Sequence, residues 1–149
     1  GRMSHTKLIY HCTFSTEGRV AALYDDMRPR LHSYIAGMIN NDFGIAREVN
    51  GIDDHVHILC DIRPNHSVSD VMSKLKSQSS GWIHQEFANL SDVFWQEGYS
   101  AFSVSKSVAP KVKEYIQRQE EHHRRRSFVD ELRVLLEKHD IEYDPEYLV

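Results

Sequence analysis

Four short stretches of the chain have the composition and alternation of β-strands. The run KLIYHCTFST is rich in β-branched and aromatic residues, which predicts a strand from Leu8 to Phe14. The runs IAREVNGID and HVHILCDI predict two more strands, paired antiparallel across a tight connection at residues 51–54. The run YSAFSVS is the fourth candidate. The strands are therefore spread along most of the chain.

Longer stretches repeat apolar residues every three or four positions, which is typical of amphipathic helices. The first runs from Val20 to Met38, with Pro29 off its apolar face as a site of bending. The second follows Ser67, whose spacing to Asp70 resembles a capping box. Two more helices are predicted over residues 108–126 and around the apolar positions Phe128, Leu132, Leu135 and Leu136.

The order strand, helix, strand, strand, helix, strand predicts an α+β fold of the ferredoxin-like kind. This split βαβ arrangement forms a four-stranded antiparallel sheet with both helices on one face. The helix at 108–126 is then an addition that carries a tyrosine. We expect one domain over residues 3–149, in which 127–149 form a C-terminal helix and acidic tail; residues 1–2 look like an expression remnant.

Composition narrows the class of protein but does not identify a partner. Hydrophobic residues make up 40% of the chain, and no apolar run approaches the roughly 20 residues of a membrane helix. Two unpaired cysteines in apolar runs fit a reduced, cytoplasmic compartment. The net charge of -4 argues against a nucleic-acid partner, but residues 127–149 hold seven of the 22 acidic and only two of the 18 basic residues. Charge therefore leaves nucleic-acid binding open.

The third predicted strand separates apolar side chains from two histidines. Alternate residues of a strand share a face, so His55 and His57 lie together, opposite an apolar set that should meet the helices. That set is Val56, Ile58, Cys60 and Ile62. The histidine face is expected to be uncovered, and its spacing suits two ligands of one divalent cation. Two half-exposed histidines on a sheet edge would give the same pattern.

The stretch YIQRQEEHH places Tyr115 and Gln119 four positions apart on one helix face. His122 and His123 follow one turn later, and neither is included in the predicted catalytic set. Apolar residues in this helix stop at Ile116, so core burial should hold it weakly. An ordinary surface helix, with its glutamine facing water, explains the same sequence.

A catalytic interpretation follows if this helix lies over the histidine face of the sheet. The Gln119 amide oxygen would then join His55 and His57 around one cation, with Tyr115 beside it. These three ligands are uncharged, so the cation keeps its positive charge for an anionic substrate. A phosphodiester suits such a site, because its phosphorus can be attacked by the phenol oxygen to form a phosphotyrosine.

Several segments together resemble the single-tyrosine HUH transposases of the insertion sequence 200-like kind. DDHVHIL resembles the histidine strand of that family, YIQRQEEHH its tyrosine helix, and FWQEGYSAFSVS the segment usually found between them. The opening IYHCTFST and the ending IEYDPEYL are also similar to the family. The matches span nearly the whole chain and occur in the expected order.

This resemblance implies a DNA transposase that acts on single-stranded DNA at hairpin-marked element ends. Tyr115 would form a 5′-phosphotyrosine bond, and His55, His57 and Gln119 would hold Mg²⁺ or Mn²⁺. An obligate homodimer is implied, in which the tyrosine helix can dock on the histidines of the partner. Arg118 and Ser100 depart from the usual family residues, asparagine and glycine, so a domesticated repeat-associated relative is an alternative.

Basic side chains suggest further DNA contacts. Lys74 and Lys76 on the second helix, and Arg124, Arg125 and Arg126 after the tyrosine helix, are candidates for phosphate binding, although a solvated surface would look the same.

Two other functions remain compatible with the sequence. A non-catalytic module would bind single-stranded nucleic acid on the open sheet face. A metal phosphoesterase would use water as its nucleophile. Both differ from a transposase in not needing Tyr115.

Overall fold

The computed structural model describes residues 4–123 and 126–144, in which four strands form one antiparallel sheet. The strands are β1 (Ile9–Ser15), β2 (Gly44–Gly51), β3 (His55–Ile62) and β4 (Ser100–Val104). Their order across the sheet is β2-β3-β1-β4, so β3 and β1 occupy the centre. This is the order of a split βαβ sheet, and it confirms the α+β, ferredoxin-like prediction.

Five α-helices accompany the sheet within the described residues. They are α1 (Arg28–Met38), α2 (Val68–Glu86), α3 (Ala109–Gln117), α4 (Gln119–His123) and α5 (Phe128–Lys138). A single π-helical turn, Ile39–Phe43, prolongs α1. Ser67 caps the start of α2 as predicted, because its hydroxyl accepts a hydrogen bond from the Asp70 backbone N–H, which is one of the two bonds of a capping box.

The first helix is shorter than its apolar repeat predicts. It begins at Arg28 rather than Val20, and the residues before it form turns. Pro29 lies in its first turn, where a missing N–H costs no hydrogen bond, so the proline marks the helix start instead of a bend. Leu23 and Met27 are still fully buried, whereas Val20 is exposed. The apolar spacing of residues 20–27 was therefore misleading.

One face of the sheet packs on α1 and α2, as predicted. The apolar side chains of β3 lie in the main core with residues of both helices, including Leu31, Ile35, Val71 and Leu75. Val56, Ile58 and Cys60 are fully buried and Ile62 nearly so. The alternation of β3 thus fixes the direction in which its histidines must point.

The opposite face is not uncovered, and that expectation is wrong. Helices α3 and α5 cover it through two small apolar clusters, one formed by Ile9, Leu59, Ala109 and Ile116 and the other by Phe102, Phe128, Leu132 and Leu136. Helix α4 between them adds the buried Gln119. Ile116 is fully buried, so the tyrosine helix has one strong apolar contact with the sheet. Helices therefore lie on both faces.

The predicted helix over 108–126 is interrupted. Arg118 has non-helical backbone angles and separates α3 from the short α4. The side-chain amide of Asn50, on β2, donates to the carbonyl oxygens of Ile116 and Gln117 at 3.0 and 3.2 Å. These carbonyls would otherwise accept from the next helical turn, so the strand supplies a cap that permits the break.

Candidate active site

The two histidines of β3 direct the same ring nitrogen toward one point. The Nε2 atom of His55 lies 3.0 Å from the amide oxygen of Gln119, and that of His57 lies 2.8 Å from a carboxylate oxygen of Glu131. Both rings are fully buried. Because β3 is a central strand whose apolar face is locked in the core, these rings have a fixed position.

The second ring nitrogen of each histidine, Nδ1, also has a hydrogen-bonding partner. The Nδ1 atom of His55 contacts the Asp54 carboxylate at 2.7 Å, and that of His57 contacts Nε2 of His11 at 2.7 Å. Outer partners of this kind orient metal-binding histidines and select their tautomer. His11 lies on β1 and was not predicted, because its neighbour across the sheet is known only once the strands are paired.

The structure brings Gln119 and Tyr115 to the histidines, as the catalytic interpretation requires. Gln119 is fully buried and contacts His55. The Tyr115 hydroxyl donates to Glu131, and its ring lies 5.9 Å from that of His57. The surface-helix alternative is wrong for Gln119. Gln119 was predicted beside Tyr115 on the assumption of one continuous helix. That reason is wrong, since Gln119 begins a separate helix after the break at Arg118.

Glu131, like His11, was not predicted from the sequence. It lies on α5, is only 2% exposed, and accepts hydrogen bonds from Tyr115 and from the amide nitrogen of Gln119 at 3.3 Å. The sequence holds one indication of it, because Glu131 is a charged residue next to Leu132 in the apolar repeat of a short helix. Phe128, one turn earlier on α5, stacks on His55 with ring centroids 4.3 Å apart.

His123 also belongs to this cluster, although its spacing along the helix did not distinguish it from a surface residue and it was left out of the predicted catalytic set. Its Nε2 atom lies 3.1 Å from the Glu131 carboxylate. The ring of His122 instead packs beside that of Tyr115, at 4.5 Å between centroids. One ligand atom each from His55, His57, His123 and Glu131 lies within 4.8 Å of the others, so this group can hold a metal ion.

Charge is distributed unevenly within this cluster. Burial raises the pKa of Tyr115, and the neighbouring Glu131 raises it further, so the phenol is held protonated. Burial works against ionisation of Glu131 as well, but its hydrogen bonds with His123 and His57 outweigh that effect and lower its pKa. The result is one buried carboxylate in contact with Tyr115, Gln119 and two histidines.

Burial favours the neutral form of two of these imidazoles, His57 and His11. Burial lowers the pKa of His57 despite its hydrogen bond to Glu131, and burial followed by the nearby His57 lowers the pKa of His11 to about 3. A neutral His57 carries one ring proton: on Nε2 it donates to Glu131, and on Nδ1 it donates to a neutral His11, which leaves Nε2 available to a cation. The donor set therefore fits a divalent metal ion.

The remaining predicted DNA contacts are dispersed. Lys74 and Lys76 lie on α2, across the sheet from this cluster; the Lys76 ammonium donates to the carbonyls of Gln96 and Gly98 at 2.7 and 2.6 Å. Arg126 is exposed and lines a cavity beside Tyr115. Arg124 and Arg125 lie outside the described residues. Phosphate binding by these five side chains stays a prediction.

No helix among the described residues is both long and apolar enough to cross a membrane.

Solved structures support the fold. A Deinococcus radiodurans protein described as a transposase aligns with a TM-score of 0.67 and 24% identity, covering 80% of this chain and 95% of its own. A REP-associated tyrosine transposase bound to a REP hairpin aligns with a TM-score of 0.61 and 13% identity, covering 83% and 73%. At such low identity these matches establish a common architecture.

Sequence comparison identifies the family. The transposase for insertion sequence element IS200 from Salmonella typhimurium is 31% identical over 124 residues, covering 78% of this chain and 81% of the relative, and the Salmonella typhi transposase matches equally. The family model described as "Transposase IS200 like" matches residues 4–119. The chain therefore belongs to the IS200-like transposase family.

Proposed function

We propose that this chain cleaves and joins single-stranded DNA through a covalent bond to Tyr115, as an HUH tyrosine transposase acting at hairpin-marked ends of a mobile element. The single observation that carries the proposal is convergence on one point. The groups that meet around the Glu131 carboxylate come from three separate elements. They are the Tyr115 hydroxyl, the Nε2 atoms of His55 and His57, and the amide oxygen of Gln119. Structural packing alone does not require this combination.

The reaction assigned to Tyr115 conserves atoms and charge. Its oxygen forms a bond to the scissile phosphorus while the bond from phosphorus to the 3′-oxygen breaks. The phenol proton is lost and the departing oxygen gains one, giving a free 3′-hydroxyl and a 5′-phosphotyrosine. Attack by another 3′-hydroxyl reverses these changes and joins two strands. The energy of the phosphodiester is retained in the tyrosine bond.

His55, His57 and Gln119 would hold the divalent cation, with His123 and Glu131 as further ligands. Imidazole and carboxylate ligands together suit Mn²⁺, and Mg²⁺ accepts the oxygen donors. A bound cation would polarise a non-bridging phosphate oxygen and offset the negative charge beside the tyrosine. Asp54 and His11 orient the rings of His55 and His57 through their Nδ1 atoms. Tyr115 is held beside these ligands by its hydrogen bond to Glu131.

Hairpin DNA and a homodimer complete the proposal. A neighbour of similar fold is bound to a REP hairpin, which supports folded single strands as the substrate class. The family resemblance supports a dimer, in which a tyrosine helix can exchange between partners. The break at Arg118 and the short α4 provide a point at which such a helix can change direction.

The test is a denaturation-resistant protein–DNA adduct. The protein would be incubated with Mn²⁺ and single-stranded oligonucleotides that cover both flanks of its own gene. We expect an adduct that disappears in Tyr115→Phe and on chelation of the metal. Tyr24→Phe, which alters an exposed tyrosine far along the chain, serves as the matched control and should keep it.

Other outcomes separate the alternatives. Metal-dependent cleavage that survives Tyr115→Phe would identify water as the nucleophile. Hairpin binding without an adduct on either flank would favour a domesticated repeat-associated relative or a non-catalytic binding module. Loss of the adduct in His57→Ala with unchanged hairpin affinity would support a purely chemical role for the histidines.

A further inference from the structure

A cavity of about 690 Å³ opens beside Tyr115, bounded by β4, α3 and α5. We propose that this cavity binds the base and sugar of the nucleotide whose 5′-phosphate becomes attached to Tyr115, so that it retains the cleaved strand until joining. This inference rests on the proposed function, because it takes single-stranded DNA as the substrate. It adds a nucleotide-binding site to the catalytic cluster.

The size and lining of the cavity suit a nucleotide. Ligand sites of about 300–1,000 Å³ enclose small organic molecules, and one nucleotide falls within that range. Apolar side chains of Val104, Val112 and Leu135 line it, and the rings of Phe102 and His139 stack nearby with centroids 4.4 Å apart. Phe102 itself is buried, so the exposed His139 ring and the half-buried apolar side chains form the surface on which a base can stack, with little dependence on base identity.

Positive charge surrounds the cavity in a chain whose net charge is -4. Lys111 on α3, Arg126 before α5 and Lys138 at the end of α5 line it, against the single carboxylate of Glu131. Burial and Glu131 raise the pKa of Tyr115, and the positive charge of Arg126 opposes that rise. The same guanidinium would favour the phosphodiester anion formed on the tyrosine oxygen. Three cations from different segments thus match a DNA backbone.

Reaction geometry decides which nucleotide the cavity receives. In a phosphoryl transfer the attacking and leaving oxygens are roughly in line, on opposite sides of phosphorus. The nucleotide with the leaving 3′-oxygen therefore departs on the side away from Tyr115. The nucleotide that keeps its 5′-phosphate stays bonded to the tyrosine oxygen. Because Tyr115 itself lines the cavity, this retained nucleotide is the one within reach.

The first experiment measures binding without catalysis. Deoxynucleoside 5′-monophosphates would be titrated into the protein by NMR in the presence of a chelator, which removes any contribution from bound metal. We expect saturable binding of all four with dissociation constants of about 1–10 mM. Deoxyribose 5-phosphate, which has the charge but no base, should bind about tenfold more weakly because it cannot stack.

Paired substitutions locate that binding. Lys111→Ala with Lys138→Ala should weaken it at least fivefold, whereas Lys106→Ala with Lys113→Ala removes two exposed lysines that do not line the cavity and should leave it unchanged. Equal effects of the two pairs would show non-specific attraction, and the absence of saturable binding would also overturn the proposal.

The second experiment uses the DNA adduct. An abasic residue directly 3′ of the scissile phosphate should lower adduct yield at least tenfold, whereas one placed directly 5′ should have little effect. Normal adduct formation with both substrates would refute the cavity assignment while leaving the proposed function intact. Failure to form any adduct, together with base-dependent mononucleotide binding, would refute the proposed function and not the cavity.

Discussion

At the scale of single residues, the site depends on the carboxylate of Glu131, which belongs to no recognisable sequence motif. Glu131 contacts Tyr115, His57, His123 and Gln119, and it lies beyond residue 119, where the family match ends. An ionised buried group is stable only when it is well paired, and here each of its oxygens has donors. Glu131 therefore connects helix α5 to the histidines of β3 and gives this cluster a negative charge.

Replacing Glu131 with glutamine tests its role as a metal ligand. Glu131→Gln keeps the shape of the side chain but removes its charge, so the affinity for Mn²⁺ should fall at least about tenfold. The pKa of Tyr115 should fall toward its usual value as well, because a neighbouring negative charge is removed. Metal affinity is measured by calorimetry, with a thermal melt to verify folding.

Glu137→Gln is the matched control, since Glu137 is exposed on the same helix. It should leave metal affinity unchanged. If Glu131→Gln binds Mn²⁺ as tightly as the parent protein, Glu131 is not a ligand.

At the scale of elements, α3, α4 and α5 convert a sheet face into an enclosed site. Helices α3 and α5 are held against the sheet by the two small apolar clusters, α3 also by the Asn50 cap, and α4 by the contact of Gln119 with His55. Each of these contacts is modest compared with the core on the other face. Tertiary contacts, more than helix propensity, therefore keep Tyr115 at the histidines.

Helix α1 gives a pH-dependent contribution to stability. His32 is largely buried, and its Nε2 atom has no hydrogen-bond partner among the described residues. Burial, followed by the charge of Arg28, lowers the pKa of His32 from 6.5 to about 4. Between these values the unfolded chain binds more protons than the folded one, so the free energy of unfolding should fall as pH falls from about 6.5 to about 4.

His32→Gln should flatten this slope, as measured by urea denaturation at several pH values. His5→Gln, which alters an exposed histidine, should not. Identical slopes for His32→Gln and the parent protein would show that His32 is not the source of the pH dependence.

At the scale of the whole molecule, the proposed function includes a homodimer whose two chains together exchange DNA strands. In the structure, α3 and α4 lie on the histidines of their own chain, so one chain alone can assemble the site. β2 is an edge strand of the sheet and carries Ile45, which is 59% exposed, and edge strands are common places for chains to associate.

Light scattering coupled to gel filtration should give twice the chain mass of 17.4 kDa at micromolar concentration. Ile45→Lys should shift the protein toward monomer if the β2 edge is the interface. A clean monomer for the parent protein would argue against exchange of the tyrosine helix between subunits.

The sequence determined the sheet, its apolar face and the position of the histidines. Strand alternation is local, and burying Val56, Ile58 and Cys60 leaves only one direction for His55 and His57. It also indicated Tyr115 and Gln119, through their resemblance to a family, although the helix that carries them proved to be broken.

The tertiary structure alone decided what surrounds that pair of histidines. His11, His123 and Glu131 reach the cluster from β1, α4 and α5, and no spacing along the chain relates them to β3. Their positions depend on strand pairing and on helix packing, which are long-range contacts. The late start of α1 also depends on tertiary packing, because an apolar repeat does not distinguish a helix from buried turns. In the sequence, only Pro29 marked the boundary of this helix.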